Sequence, residues 1–333
     1  MFFYYITLEW HFPTKLLSMK NRIGYYSIFI TAAFMLLLFS SYLPESKAAK
    51  AAETKDQALQ SPNHTMANGV ASVTAFDINK DFYFADERIP MEDHDVYERL
   101  DREILHIAYH HTSTILAIKR AQRVFPIIEP ILAKHGLPDD LKYLAVTESS
   151  LANATSGAGA KGIWQFMKGT GAYYGLEINK EVDERNNLEK ATEAACKYLK
   201  HYHKQFGSWP LAASAYNMGG PRLKKTIQKQ KGKTLFDLNL NKETMRYFFR
   251  IIANKEIMQN PETYGYNIYP EQKYTDLPAY SDVVVDGAIT NWAAFAKKHG
   301  MSYRQLKVYN PWIKGASLTN RKHKEYLVRV PLN

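Results

Sequence analysis

Pro138-Asp139-Asp140-Leu141-Lys142-Tyr143-Leu144-Ala145-Val146-Thr147-Glu148-Ser149 is the stretch on which the reading of this chain turns. Proline suits the first position of a helix, and two aspartates in the first turn meet the positive end of the helix dipole. Leu141, Leu144, Ala145 and Glu148 follow at offsets of three, one and three, so the spacing predicts an apolar helix face that a carboxylate continues. An ionised Glu without a partner is costly to bury, and the usual outcome is a raised pKa that leaves it protonated near neutral pH. Such a group donates a proton. A Glu paired with a Lys or Arg from elsewhere in the fold is the other reading, and this helix alone weighs the two equally.

Outward from this helix the chain runs through Ser156-Gly157-Ala158-Gly159-Ala160-Lys161-Gly162, small residues that let backbone come close to a ligand or to another segment. Gly162-Ile163-Trp164-Gln165-Phe166-Met167 follows, in which Trp164 or Phe166 is a candidate wall for a sugar and Gln165 a hydrogen-bonding group. Ala215-Tyr216-Asn217-Met218-Gly219-Gly220 and Glu243-Thr244-x2-Tyr247 come later. Helical spacing is expected from Val96 onward (Val96, Leu100, Ile104, Ile107), then over 125–134, 139–151, 191–206, 209–216 and 242–259. Almost nothing before the tail alternates as a strand does.

Taken together and in this order, Glu148-Ser149, Gly162-Ile163-Trp164-Gln165, Ala215-Tyr216-Asn217 and Tyr247 resemble the catalytic domain of the lytic murein transglycosylases, particularly the membrane-bound type D group. Asp183-Glu184-Arg185 and Ala194-x3-Tyr198-Leu199 also match that group. The resemblance implies a mainly α protein, with a lysozyme-like (SLT) all-helical catalytic domain over 96–269. It implies cleavage of the β-1,4 bond between N-acetylmuramic acid and N-acetylglucosamine in peptidoglycan glycan strands, with Glu148 as acid and then base and a 1,6-anhydro product. Ser149, Ser156, Gln165, Tyr216, Asn217 and Tyr247 would then be the substrate-binding residues, and no metal or organic cofactor is implied. A hydrolase on the same fold would use Asp183 or Glu184 to activate water. A non-catalytic glycan-binding protein would keep the groove alone.

The tail is a separate segment. Val283-Val284-Val285 reads as a strand, 291–299 and 303–309 as short helices, and Tyr326-Leu327-Val328-Arg329-Val330 as a closing strand. This order resembles a small α+β LysM-like module over 279–333, with Val284, Gly287, Asn310 and Val330-Pro331 at matching places. Gly287-Ala288-Ile289 replaces the usual Gly-Asp-Thr turn of such modules.

At the other end, Lys15, Lys20 and Arg22 precede an apolar run over 25–43, and Ala49-Lys50-Ala51 offers a small-x-small cleavage pattern. Residues 1–51 are therefore expected to be a signal peptide or an inner-membrane anchor, and 52–95, rich in small and polar residues, a linker. The expected location is the periplasm or cell envelope. No cysteine stands directly after the apolar run, a departure from the lipoprotein members of the group. A net charge of +10 favours anionic partners, but no nucleic-acid-binding motif is present and the basic residues are spread along the 333-residue chain. The single Cys196 reads as a small buried hydrophobe. His106 and His110, four apart, lack the Glu of a zinc-binding helix motif.

Overall fold

A computed structural model describes residues 74–332, which belong to one compact unit, Val73–Asn333. The apolar run 25–43 and the cleavage pattern lie outside the described residues, and among the described helices none is long and apolar enough to cross a membrane. The chain opens with a short antiparallel hairpin, β1 (Phe82–Phe84) and β2 (Glu87–Ile89), turned by Ala85 and Asp86 in the left-handed region. Helices α1 (His94–Ala108), α2 (His111–Lys134), α3 (Lys142–Ser149) and α4 (Lys168–Tyr173) follow. Then come α5 (Leu188–Phe206), α6 (Trp209–Met218), α7 (Gly220–Gln230) and α8 (Lys242–Gln259).

The expected linker 52–95 ends earlier than the sequence suggests. Ile78, Phe82, Phe84 and Ile89 are buried in the main core, with Phe84 edge-on to Phe248 of α8. The hairpin escapes a sequence reading because its strands are three residues long and carry Glu87 and Arg88 at one end. Helix α7 also goes beyond the expectation: Gly219-Gly220-Pro221 reads as a break, yet Pro221 sits in the first turn, where its missing N–H costs nothing. Gly220 is required there, since a Cβ would meet the Tyr202 ring at 2.2 Å.

Helix α8 is the spine of the domain. Asn241 caps it by accepting from the backbone N–H of Glu243 and Thr244, and α1, α3 and α6 all pack on it. Tyr247, Phe248, Phe249, Ile251 and Ile252 are buried along its length. Helix α5 packs between α2 and α6, burying Cys196, whose thiol is pushed up to about 12 by desolvation.

The C-terminal part pairs β3 (Tyr280–Val285) antiparallel with β4 (Tyr326–Pro331), Tyr280 opposite Pro331 and Val285 opposite Tyr326. Between them lie α9 (Trp292–Lys298) and α10 (Tyr303–Tyr309), as the pattern predicts. Asn310 is fully buried and ties helix to strand, donating to the Leu306 and Arg329 carbonyls and accepting from the Arg329 N–H. This small core also takes in Val182 from the helical domain. The segment 177–189 docks on it: the Glu181 carbonyl accepts from the N–H of Lys314 and Gly315, and Asp183 N–H donates to the Trp312 carbonyl.

Candidate active site

Helix α3 carries the centre of the site. A single 3-10 turn, Asp139–Leu141, leads into it, and the two aspartates find partners beyond the helix dipole. Asp140 accepts from the Ala85 N–H and from Lys255, each at 2.7 Å, and Asp139 pairs with Lys142. Tyr143 and Val146 are buried as well as Leu144 and Ala145, so α3 is enclosed on nearly all sides rather than along one stripe. It ends where Ser150 and Leu151 turn left-handed.

Glu148 lies in the last turn of α3, partly buried, and its carboxyl has no Lys or Arg partner among the described residues. Its protein contact is the Tyr247 hydroxyl of α8, which donates to Glu148 Oε1 at 2.7 Å. Desolvation pushes the carboxyl up to about 7, the Tyr247 hydrogen bond pulls against that shift, and the charge of Glu243 adds to it. Tyr247 itself is fully enclosed and its hydroxyl titrates far above its ordinary value, so it stays a donor. A group in this state delivers a proton near neutral pH and, once ionised, accepts one.

The remaining candidates fall into two sets. Tyr216 and Asn217 end α6 beside the same helix α8: Tyr216 donates to the Trp164 carbonyl at 2.7 Å, and Asn217 Oδ1 accepts from the Thr244 hydroxyl at 2.8 Å. The Tyr216 hydroxyl is pushed well up by burial and by the charge of Glu148. Ser149, Ser156 and Gln165 instead hold the small-residue loop together. The Ser149 hydroxyl reaches the Ile163 carbonyl at 2.8 Å, and Ser156 Oγ accepts from the Ala160 N–H. Gln165 Nε2 donates to the carbonyls of Gly162 and Ala154 at 2.7 and 3.1 Å. Among the described residues, Oε1 of Gln165 and Nδ2 of Asn217 have no protein partner.

Trp164 and Phe166 do not wall the site. Trp164 is fully buried and donates to the Thr192 hydroxyl, and Phe166 packs on Tyr198 and Tyr216, so both are core anchors of the loop. Gly162 has φ of +80°, and a Cβ there would lie 1.8 Å from the Arg185 carbonyl, which explains the need for glycine. Arg185 is the clamp. It forms a two-pronged pair with Asp183 at 2.8 Å and donates to the carbonyls of Gly159 and Phe166. Burial would raise the Asp183 carboxyl, but Arg185 and Lys161 outweigh it and hold the group below its ordinary value. Glu184 is buried, paired with Lys190 and accepting from the Glu177 N–H.

Two residues near the Glu148 carboxyl carry no role in the sequence reading. Glu243 acts on Glu148 through its charge and is paired with Arg250 at 2.8 Å; its position four residues before Tyr247 on one helix face was the available signal. Tyr198 packs tilted against Tyr216, ring centroids 4.8 Å apart, and feels the charge of Glu148.

Residues 125–239 match the Transglycosylase SLT domain, and residues 281–333 match the Soluble lytic transglycosylase C-terminal LysM-like domain. The fold and site thus define a mainly helical, lysozyme-like SLT protein with a small LysM-like C-terminal domain. The chain is 31% identical over 236 residues to the membrane-bound lytic murein transglycosylase D of Escherichia coli K12, and the same figures hold for that of strain O6:H1. Over the aligned span it is therefore similar to the membrane-bound lytic murein transglycosylase D proteins. The alignment takes in 69% of this chain and 50% of each relative, so the chain spans about half the length of the curated relatives it matches. Among solved structures, the 70 kDa soluble lytic transglycosylase of Escherichia coli is similar over 41% of this chain and 24% of its own, at 19% identity and a TM-score of 0.37.

Proposed function

We propose that this protein is a peptidoglycan lytic transglycosylase and that Glu148 serves as both acid and base. The protonated carboxyl gives its proton to the oxygen of the β-1,4 bond as the bond to the muramyl carbon breaks. The carboxylate then takes the proton of the 6-hydroxyl of the same sugar while that oxygen closes on the muramyl carbon, so no water enters. Tyr247 orients the acid, and Gln165 and Asn217 bind sugar through their open polar atoms. Tyr216 supports the loop behind them. Ser149 and Ser156 belong to the site through the shape they give that loop. An envelope location accompanies this reading, supported by the membrane-bound relatives, with 25–43 as export signal or anchor.

The observation that carries the proposal is a lone carboxyl held at about 7 with every neighbouring acid already engaged. A hydrolase needs a second carboxylate to activate water or act as nucleophile. Asp183 is bound by Arg185, Glu184 by Lys190 and Glu243 by Arg250. The test is mass spectrometry of fragments released from purified sacculi by the chain from residue 46 onward. Fragments ending in 1,6-anhydro-N-acetylmuramic acid, lost with Glu148→Gln, are expected. Reducing ends would make the protein a hydrolase, and no release would leave a binding protein.

A further inference from the structure

A sizeable cavity among the described residues lies away from Glu148. It encloses about 860 Å³ between the helical domain and the LysM-like domain, and none of the seven candidate site residues lines it. Three features define its chemistry. One wall carries Arg120 and Arg123, three apart on α2 and therefore on one face. Both are half-buried, and both spend a single N–H on a backbone carbonyl, Arg120 on Ser150 at 3.0 Å and Arg123 on Thr275 at 2.6 Å. Neither has a carboxylate partner among the described residues, so each guanidinium keeps N–H groups without a protein acceptor at the cavity wall. The floor is apolar, made by Ile163 and by Trp312 stacked on Tyr326 at 5.6 Å. The opposite rim, on the LysM-like domain, carries the exposed acids Asp282 and Glu325.

We propose that this cavity is a second binding site, for a short peptide that carries both carboxylates and a free amine. Guanidinium forks match carboxylates in two-pronged geometry, and the acidic rim across the cavity suits an ammonium. A neutral sugar would leave both half-buried guanidiniums without a counter-charge. A nucleic acid would be repelled by Asp282 and Glu325. The volume lies in the range of small-molecule sites and holds a peptide of a few residues. In the cell wall such a ligand is the stem peptide of the glycan strand. That assignment of source rests on the proposed function, whereas the ligand chemistry does not.

Binding is measured by calorimetry on the full chain carrying Glu148→Gln, so that cleavage plays no part. The probes are the tripeptide L-alanyl-γ-D-glutamyl-diaminopimelate, its N-acetylated forms, and the neutral tetramer of N-acetylglucosamine. The tripeptide is expected to bind, about tenfold more weakly after Arg123→Ala and several-fold more weakly after Asp282→Asn. Acetylation of its amines is expected to weaken it and to remove the sensitivity to Asp282. Because Asp282 is exposed, that variant reports on binding even if Arg123→Ala disturbs the fold. The proposal is overturned if the tripeptide does not bind, if both variants bind it as the parent does, or if only the sugar tetramer loses affinity. Tripeptide binding in a chain whose unmutated form releases nothing from sacculi would sink the enzymatic reading and leave this site standing.

Discussion

A carboxyl that titrates near 7 is about half protonated at neutral pH, so Glu148 can start a reaction as an acid and finish it as a base without a second group. Because the first step consumes the protonated form, the rate of glycan cleavage is expected to fall as pH rises through about 7; a pH–rate profile checks this. Tyr247→Phe removes the hydroxyl that favours the ionised carboxyl, so the falling limb should move to higher pH while the maximal rate drops about tenfold or more. The same shift has a stability consequence. The ordinary Glu value is 4.5 and the folded value about 7, so the folded protein holds the extra proton between these values and loses stability as pH rises through that window. Glu148→Gln should therefore be the more stable protein above pH 7, by roughly 1–3 kcal/mol, in denaturant titrations at pH 5 and pH 8. The inward carboxylate was legible in the sequence because its helical offsets from Leu141, Leu144 and Ala145 are local. Tyr247 was named only through the family resemblance, and its hydrogen bond to Glu148 could not be read from spacing, since it lies 99 residues away and only the packing of α3 on α8 joins them.

Elements, rather than single groups, fix the loop that faces Glu148. Its glycines and Gln165 read in sequence as ligand-binding features, and the structure assigns much of their chemistry to holding the loop itself. Gly162 lets the Arg185 carbonyl approach, and the Asp183–Arg185 pair grips the carbonyls of Gly159 and Phe166. Gly162→Ala combines a strained φ with a backbone clash and should cost about 2 kcal/mol or more, visible as a lowered Tm with activity lost in parallel. Asp183→Asn leaves Arg185 buried without its charge partner, a loss of about 3–5 kcal/mol. A catalytic Asp183 would show the opposite pattern, an inactive protein of unchanged Tm. The long helices were legible from period and caps. The hairpin at 82–89 and helix α7 were not, because the hairpin strands span under two periods each and a Gly-Gly-Pro sequence signals a break as readily as a helix start.

At the scale of the whole molecule, the tail is fastened to the part of the helical domain that holds the active loop. Val182 sits in the core of the LysM-like domain, Thr319 donates to the Glu181 carboxylate through both N–H and hydroxyl, and Tyr326 donates to Glu177 at 3.0 Å. The same segment continues into Asp183 and Arg185. Removal of residues 279–333 should therefore expose Val182, loosen the Asp183–Arg185 clamp and lower the Tm of the helical domain, rather than merely weaken glycan binding; calorimetric melting of the truncated chain beside the full one checks this. Sequence could place the tail as a separate strand–helix–helix–strand unit, but nothing in its spacing says what it docks against.

The most direct test of the single-carboxyl mechanism is digestion of sacculi in water enriched in heavy oxygen, with the products read by mass spectrometry. Ring closure by the substrate's own 6-hydroxyl predicts products free of the heavy isotope, and their disappearance with Glu148→Gln. One heavy oxygen at the new muramyl end of each product would contradict that account, because it would mean that water, not the sugar, completes the reaction.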